Sequence, residues 1–190
     1  RYKLVLRLDP DHDEARRNLA SIHLSAGELN DARRLLRRET RRFAADKRSF
    51  DDDALDDLGQ LLLDARKPRE AARIYSELVT RRPDDGIAWH HLSVAYFHSR
   101  NHGLGVDACR HALKLKPDHV PALHNMTYAC MQQRRWRDAR RFLDRALAVS
   151  PDDHALHRLR LAIRVYRVFE RTGRFFHNIS LMIRRRRADG

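Results

Sequence analysis

The chain has 190 residues, with 39 Lys plus Arg against 26 Asp plus Glu and a formal charge of +13. No stretch approaches the roughly eighteen uninterrupted apolar residues that a membrane-spanning helix requires, and two cysteines are too few for a disulfide framework. The positive balance favours acidic partners through long-range attraction.

In chain order, residues 1–12 place Tyr2, Leu4, Val5, Leu6 and Leu8 before Pro10. They read as the second helix of a unit whose first helix is absent, so the chain reads as a piece of a longer one. Residues 13–51 carry Leu19, Ala20, Gly27 and Ala32, lack a closing proline and run five residues long through Arg41–Phe50. Residues 52–85 give Leu55, Leu58, Gly59 and Leu62 on a first helix, then Ala71, Tyr75 and Leu78 on a second, closed by Pro83. Residues 86–119 repeat this with Trp89, Leu92, Ser93 and Tyr96, then Ala108, Cys109 and Ala112, closed by Pro117. Residues 120–153 repeat it again with Leu123, Met126, Thr127 and Cys130, then Ala139, Leu143 and Ala146, closed by Pro151.

The three prolines stand 34 residues apart. Spacings of three and four build apolar stripes on helices. Small residues let two helices approach, and proline stops the second because it lacks an N–H and clashes with the preceding turn. Cys109 and Cys130 fall at core positions, where cysteine behaves as a small apolar residue. Residues 154–190 change the pattern: Leu156, Leu159, Ile163, Tyr166 and Phe169 make an amphipathic helix that breaks at Thr172 and Gly173. A second apolar segment follows and ends in Arg184, Arg185, Arg186 and Arg187. This end reads either as a degenerate unit whose helices cap the array or as a basic amphipathic helix that docks an anionic surface.

The pattern W-x2-L-x3-Y, a small residue and a closing proline resembles the tetratricopeptide repeat family. The resemblance covers nearly everything up to residue 153. It implies an all-α fold, a right-handed α-solenoid of antiparallel helix pairs. It also implies that first helices line a concave face, that second helices form the convex outside, and that the chain is a scaffold for protein partners. Ser93 stands where the family has glycine or alanine, and Gly105 where it has alanine. Gly105 is expected to loosen its helix by about 1 kcal/mol relative to alanine.

Within that frame the charges separate. Arg33, Arg34, Arg37, Arg38, Arg41 and Arg42 lie on one second helix, and Arg137, Arg140, Arg141 and Arg145 on another. The first helix after Phe50 is acidic, with Asp51, Asp52 and Asp53 suited to capping its N-terminus. Asp56, Asp57 and Asp64 lie beyond the first turn and suit either a solvated face or a ligand-facing one. Histidines gather on the next two first helices at His90, His91, His98 and His124. Metal binding is not expected from them, because the one H-x3-H spacing, His98 to His102, runs off a helix end and no other convergent ligands accompany it.

The resulting expectation is a partner peptide or helix in the concave groove, touching Gln60, Asp64, His90, Phe97, His98, His124, Asn125, Tyr128 and Gln132. Of the residues with which family members grip a chaperone's C-terminal carboxylate, only an isolated asparagine, Asn125 in the first of two alignments, is matched. Their places hold His90, Val94, Asn125, Ala155 and Leu159, or, one unit earlier, Asp56, Gln60, His91, Pro121 and Asn125. The alternative is electrostatic attachment to nucleic acid or an anionic membrane through the convex arginines and the basic tail. Self-association through the incomplete first unit is a third expectation. No phosphate loop, nucleophile elbow or zincin motif occurs, so a non-catalytic protein without cofactor is expected. A cytoplasmic location is expected with it.

Overall fold

The computed structural model describes residues 1–166, and among these all regular structure is helical. Arg184, Arg185, Arg186 and Arg187, with the segment that precedes them, lie outside the described residues. The helices are α1 Tyr2–Leu8, α2 Asp13–Ser25, α3 Leu29–Ala45, α4 Asp52–Asp64, α5 Pro68–Arg81, α6 Gly86–His98, α7 His102–Leu115, α8 Val120–Gln132 and α9 Trp136–Val149. A tenth helix, α10, begins at 154 and is described to 166. The chain divides into two compact units, Arg1–Pro117 and Asp118–Gly190.

Local chemistry sets the helix starts. Asp51 accepts the backbone N–H of Ala54 at 2.7 Å, and Asp85 accepts those of Ile87 and Ala88 at 2.9 and 3.1 Å. Asp153 accepts those of Ala155 and Leu156 at 2.7 and 3.2 Å. Each carboxylate satisfies donors that have no partner inside the helix. Two of the closing prolines, Pro83 and Pro151, also serve these starts, because their carbonyls meet side chains of the following helix. Trp89 Nε1 donates to Pro83 O at 2.9 Å, and His157 Nε2 lies 2.6 Å from Pro151 O.

The turns inside the helix pairs share one geometry. At the end of α4 the Lys67 N–H bonds Leu62 O at 2.8 Å and the Arg66 N–H bonds Leu63 O at 3.0 Å. These are the two bonds of a Schellman motif, whose penultimate residue takes a left-handed conformation. That residue is Gly27 in the first turn (φ 76°), but Arg66, Arg100 and Arg134 in the next three (φ 56°, 66° and 57°). A side chain at positive φ costs about 1–2 kcal/mol, which glycine avoids.

In the first unit the core runs from Ala20 and Leu36 through Leu55, Leu58, Leu62, Ile74, Tyr75 and Leu78 to Leu92 and Ala108. Helices approach until rings meet glycines. A Cβ on Gly59 would lie 2.6 Å from Cζ of the fully buried Tyr75, and one on Gly105 would lie 2.7 Å from Cδ1 of Phe97. Gly105 is therefore more than a weak helix former. Alanine there requires the Phe97 ring to move, which offsets the expected gain in propensity. In the second unit Ala122, Leu123, Met126, Ala139, Leu143, Ala146, Leu156 and Ile163 are buried, and Trp136 stacks on Tyr166 with centroids 5.6 Å apart.

Two features distinguish the first helix pairs. Arg16 and Glu39, 3% and 0% exposed, form a buried ion pair between α2 and α3. Asp13 accepts from Arg16 at 3.1 Å and the Pro10 carbonyl also accepts from it, while Arg42 pairs with Asp13. Buried charges persist only when paired in this way. The longer connection after α3 forms a short 3-10 turn, Lys47–Ser49, pinned by Arg81, which donates to Phe50 O and Lys47 O at 2.7 Å each. Phe50 is buried edge-on to Phe43 at 6.0 Å. Lys47 bonds Glu77 at 2.8 Å and holds its carboxyl below the usual range.

Two stability outcomes follow. Gly59→Ala loses about 1–3 kcal/mol through overpacking against Tyr75, whereas Gly103→Ala, with nothing within 4 Å of its Cβ, gains up to about 1 kcal/mol of helix propensity. Opposite shifts of the urea midpoint check the pair. Arg66→Gly and Arg100→Gly each relieve positive-φ strain but lose some backbone entropy, for a net gain of up to about 1 kcal/mol, read as a raised thermal midpoint.

Candidate functional site

In the first unit, first helices α2, α4 and α6 pack side by side. On α4, Gln60 Nε2 donates to Asp64 Oδ1 at 3.1 Å, and both residues are exposed. Asp56 is bridged to α6, with its Oδ1 3.3 Å from His91 Nδ1. The His91 ring stands edge-on to Tyr75 at 5.2 Å, and the Tyr75 hydroxyl donates to Asp56 O at 3.4 Å. The hydrogen bond from His91 holds the Asp56 carboxyl below the usual aspartate range, against the opposing effect of burial. Burial and the nearby Asp56 and Asp64 charges push the Tyr75 phenol upward. An acidic, hydrogen-bonded face on α4 is thus fixed to α6.

The other expected groove residues of this unit are placed differently. His90 is only 8% exposed, with its ring 5.6 Å from that of His91, so it belongs to the packing between helices. Phe97 is half-buried over Gly105, with its ring 6.3 Å from that of His102. His98, at the end of α6, is exposed and faces the turn edge beside Arg66, Lys67 and Arg100. Gln60 and Asp64 therefore remain on an open polar face, while His90 and Phe97 hold the helices together.

In the second unit, α8 presents a row at helical spacing: Asn125 half-buried, Tyr128 53% exposed and Gln132 exposed. His124 is half-buried beside this row. Cys109 and Cys130 are both buried. Among the described residues, His23, Glu28 and Asp31 bring possible ligand atoms within 4.8 Å of one another. His23 is hydrogen-bonded to Glu28 and Asp31 is ion-paired to Arg34 at 3.0 Å, so these groups are already committed to local partners.

The sequence reading did not pick out the Asp56–His91 bridge. The two positions are 35 residues apart, one more than the repeat period, and only the rotation between neighbouring first helices brings them together.

A carboxyl with a lowered pKa stabilises the fold above its unfolded pKa, near 4, and loses that contribution as pH falls through its folded value. Asp56→Asn therefore lowers stability at neutral pH, by less than about 1 kcal/mol for so exposed a pair. The difference from the parent shrinks as pH falls through the folded-state value of Asp56, which urea unfolding at neutral and at acid pH measures.

Comparison with known proteins agrees with this geometry. Two families described as tetratricopeptide repeat match the chain, one over residues 57–120 and the other over 1–49 and 104–163. No curated protein matches it in sequence. Among solved structures, MamA from Desulfovibrio magneticus RS-1 is 16% identical, with a TM-score of 0.65 over 80% of this chain and 84% of that one. YrrB, described as a TPR protein with an unusual peptide-binding site, is 18% identical with a TM-score of 0.64 over 82% and 77%. The first TPR of Spaghetti (RPAP3), bound to the HSP90 peptide SRMEEVD, is 17% identical with a TM-score of 0.59 over 62% and 95%. At these identities the likeness is one of fold. The chain belongs to the tetratricopeptide repeat family, and its helix pairs are those of the family's all-α solenoid.

Proposed function

We propose that this chain is a protein-interaction scaffold that holds partner segments on the faces of its first helices. The observation that carries the reading is the α8 row, in which exposed Tyr128 stands between Asn125 and Gln132. A large aromatic with an apolar body and a polar tip is a residue type enriched among binding hot spots, and the flanking amides suit a partner backbone. The α4 face adds a second contact of different character, where Asp64 and Gln60 suit a segment carrying lysine or arginine. Packed helices preorganise both faces, so little receptor entropy is lost on binding. The peptide named with Spaghetti and the peptide-binding site named with YrrB support binding as the activity of this fold.

A chaperone-type grip on a C-terminal carboxylate is a poor match. The α4 positions that would carry its lysine and its asparagine hold Asp56 and Gln60, and Asp56 repels a carboxylate.

Affinity capture at moderate salt, with each captured protein quantified, tests the proposal. Tyr128→Ala is expected to weaken at least one partner by about tenfold or more, and Gln60→Ala with Asp64→Ala to weaken a basic one. If every captured protein binds both variants as tightly as the parent, the face assignment fails.

A further inference from the structure

The left-handed arginines are the least economical feature of the fold. The position that completes a Schellman turn favours glycine, and Gly27 occupies the first such turn. Arginine occupies the next three. No packing explains the choice at Arg66 and Arg100, whose side chains are exposed. Backbone strain retained at an exposed, charged position points to a role for the side chain.

The surroundings of these turns in the first unit supply that role. Arg33, Arg34 and Arg37 of α3 face Arg66 and Lys67 across a cavity of about 620 Å³. Arg33 Nε donates to Ala65 O at 2.8 Å, fixing α3 against the end of α4 and making the wall rigid. A second cavity of about 360 Å³ lies between Arg66 and Arg100, with Arg69 on its rim. Arg66 and Lys67 line both, so the two form a continuous basic trough along the turns. Its two carboxylates are already occupied: Asp31 lies 3.0 Å from Arg34 and Glu70 lies 3.6 Å from Lys67. Among the described residues, Arg37, Arg66, Arg69 and Arg100 make no ion pair, and all four are exposed.

We propose that this trough docks an acidic, carboxylate-bearing segment of a partner protein. The guanidinium fork matches a carboxylate in two parallel hydrogen bonds, and the amide of Asn30 beside the first cavity suits a peptide backbone. Neither cavity is lined by Phe, Tyr or Trp. Single-stranded nucleic acid is held on such aromatic platforms, so the lining favours a peptide. The trough lies at the helix turns and not on the α4 or α8 faces, so it stands or falls independently of the binding proposed there.

The test is fluorescence anisotropy of the full chain with a labelled oligo-glutamate peptide, alongside a single-stranded oligonucleotide of equal charge, at moderate salt. The double variant Arg66→Gly with Arg100→Gly keeps the fold, because glycine is the residue this turn geometry prefers. It is expected to weaken oligo-glutamate binding by about tenfold or more, since each charged contact carries a substantial share of the affinity. Removing the same charge from α9, with Arg137→Ala and Arg141→Ala, which line neither cavity, is expected to change it by less than about twofold, because charges outside the contact are screened. Equal weakening by the two double variants would reduce the effect to net charge and overturn the proposal. So would the absence of measurable oligo-glutamate binding. Tighter binding of the oligonucleotide, lost in the Arg66 and Arg100 variant, would assign the trough to nucleic acid instead.

Discussion

The close approach of the helices within each pair is the constraint on which the rest of this structure depends. Tyr75 is fully buried with its ring where a Cβ of residue 59 would stand, and Phe97 lies in the same way over Gly105. A ring seated on a glycine fixes both the distance and the rotation of two helices, because neither translation nor roll leaves it a place. Everything placed on the outer faces inherits that rotation. Asp56 reaches His91 because Tyr75 holds α4 and α5 close and itself touches both residues.

Charge is distributed around this apolar frame in three distinct ways. The Arg16–Glu39 pair is interior and helps to bind α2 to α3, where its desolvation is offset by Asp13 and the Pro10 carbonyl. The α4 face is acidic and hydrogen-bonded to α6. The turn edge is basic and held partly in strained backbone. One net charge of +13 thus conceals surfaces of opposite sign on the first unit. A single electrostatic description of the whole chain would average them away.

Several expectations were legible because they depend on spacing alone. Helix type, the small residues at the contacts and the closing prolines all follow from periodicity, and the family resemblance adds the pairing. The candidate site was less legible. His90 and Phe97 have the composition of binding residues, yet they are absorbed into packing, since half a helical turn separates an open face from a buried one. Gly105 invited a propensity argument, whereas its role is set by the ring above it. Arg16 and Glu39 resemble ordinary surface charges in sequence and meet only after α2 and α3 fold together, 23 residues apart.

By itself, then, the sequence determined that this is an array of helix pairs with a 34-residue period, because apolar spacing and proline exclusion act locally along the chain. Only the tertiary structure decided which polar residues remain available. That depends on the roll of each helix against its neighbours and on the handedness of its turns. It left Gln60, Asp64 and Tyr128 open, buried His90, and put Arg66 and Arg100 into a conformation that no reading of composition could assign.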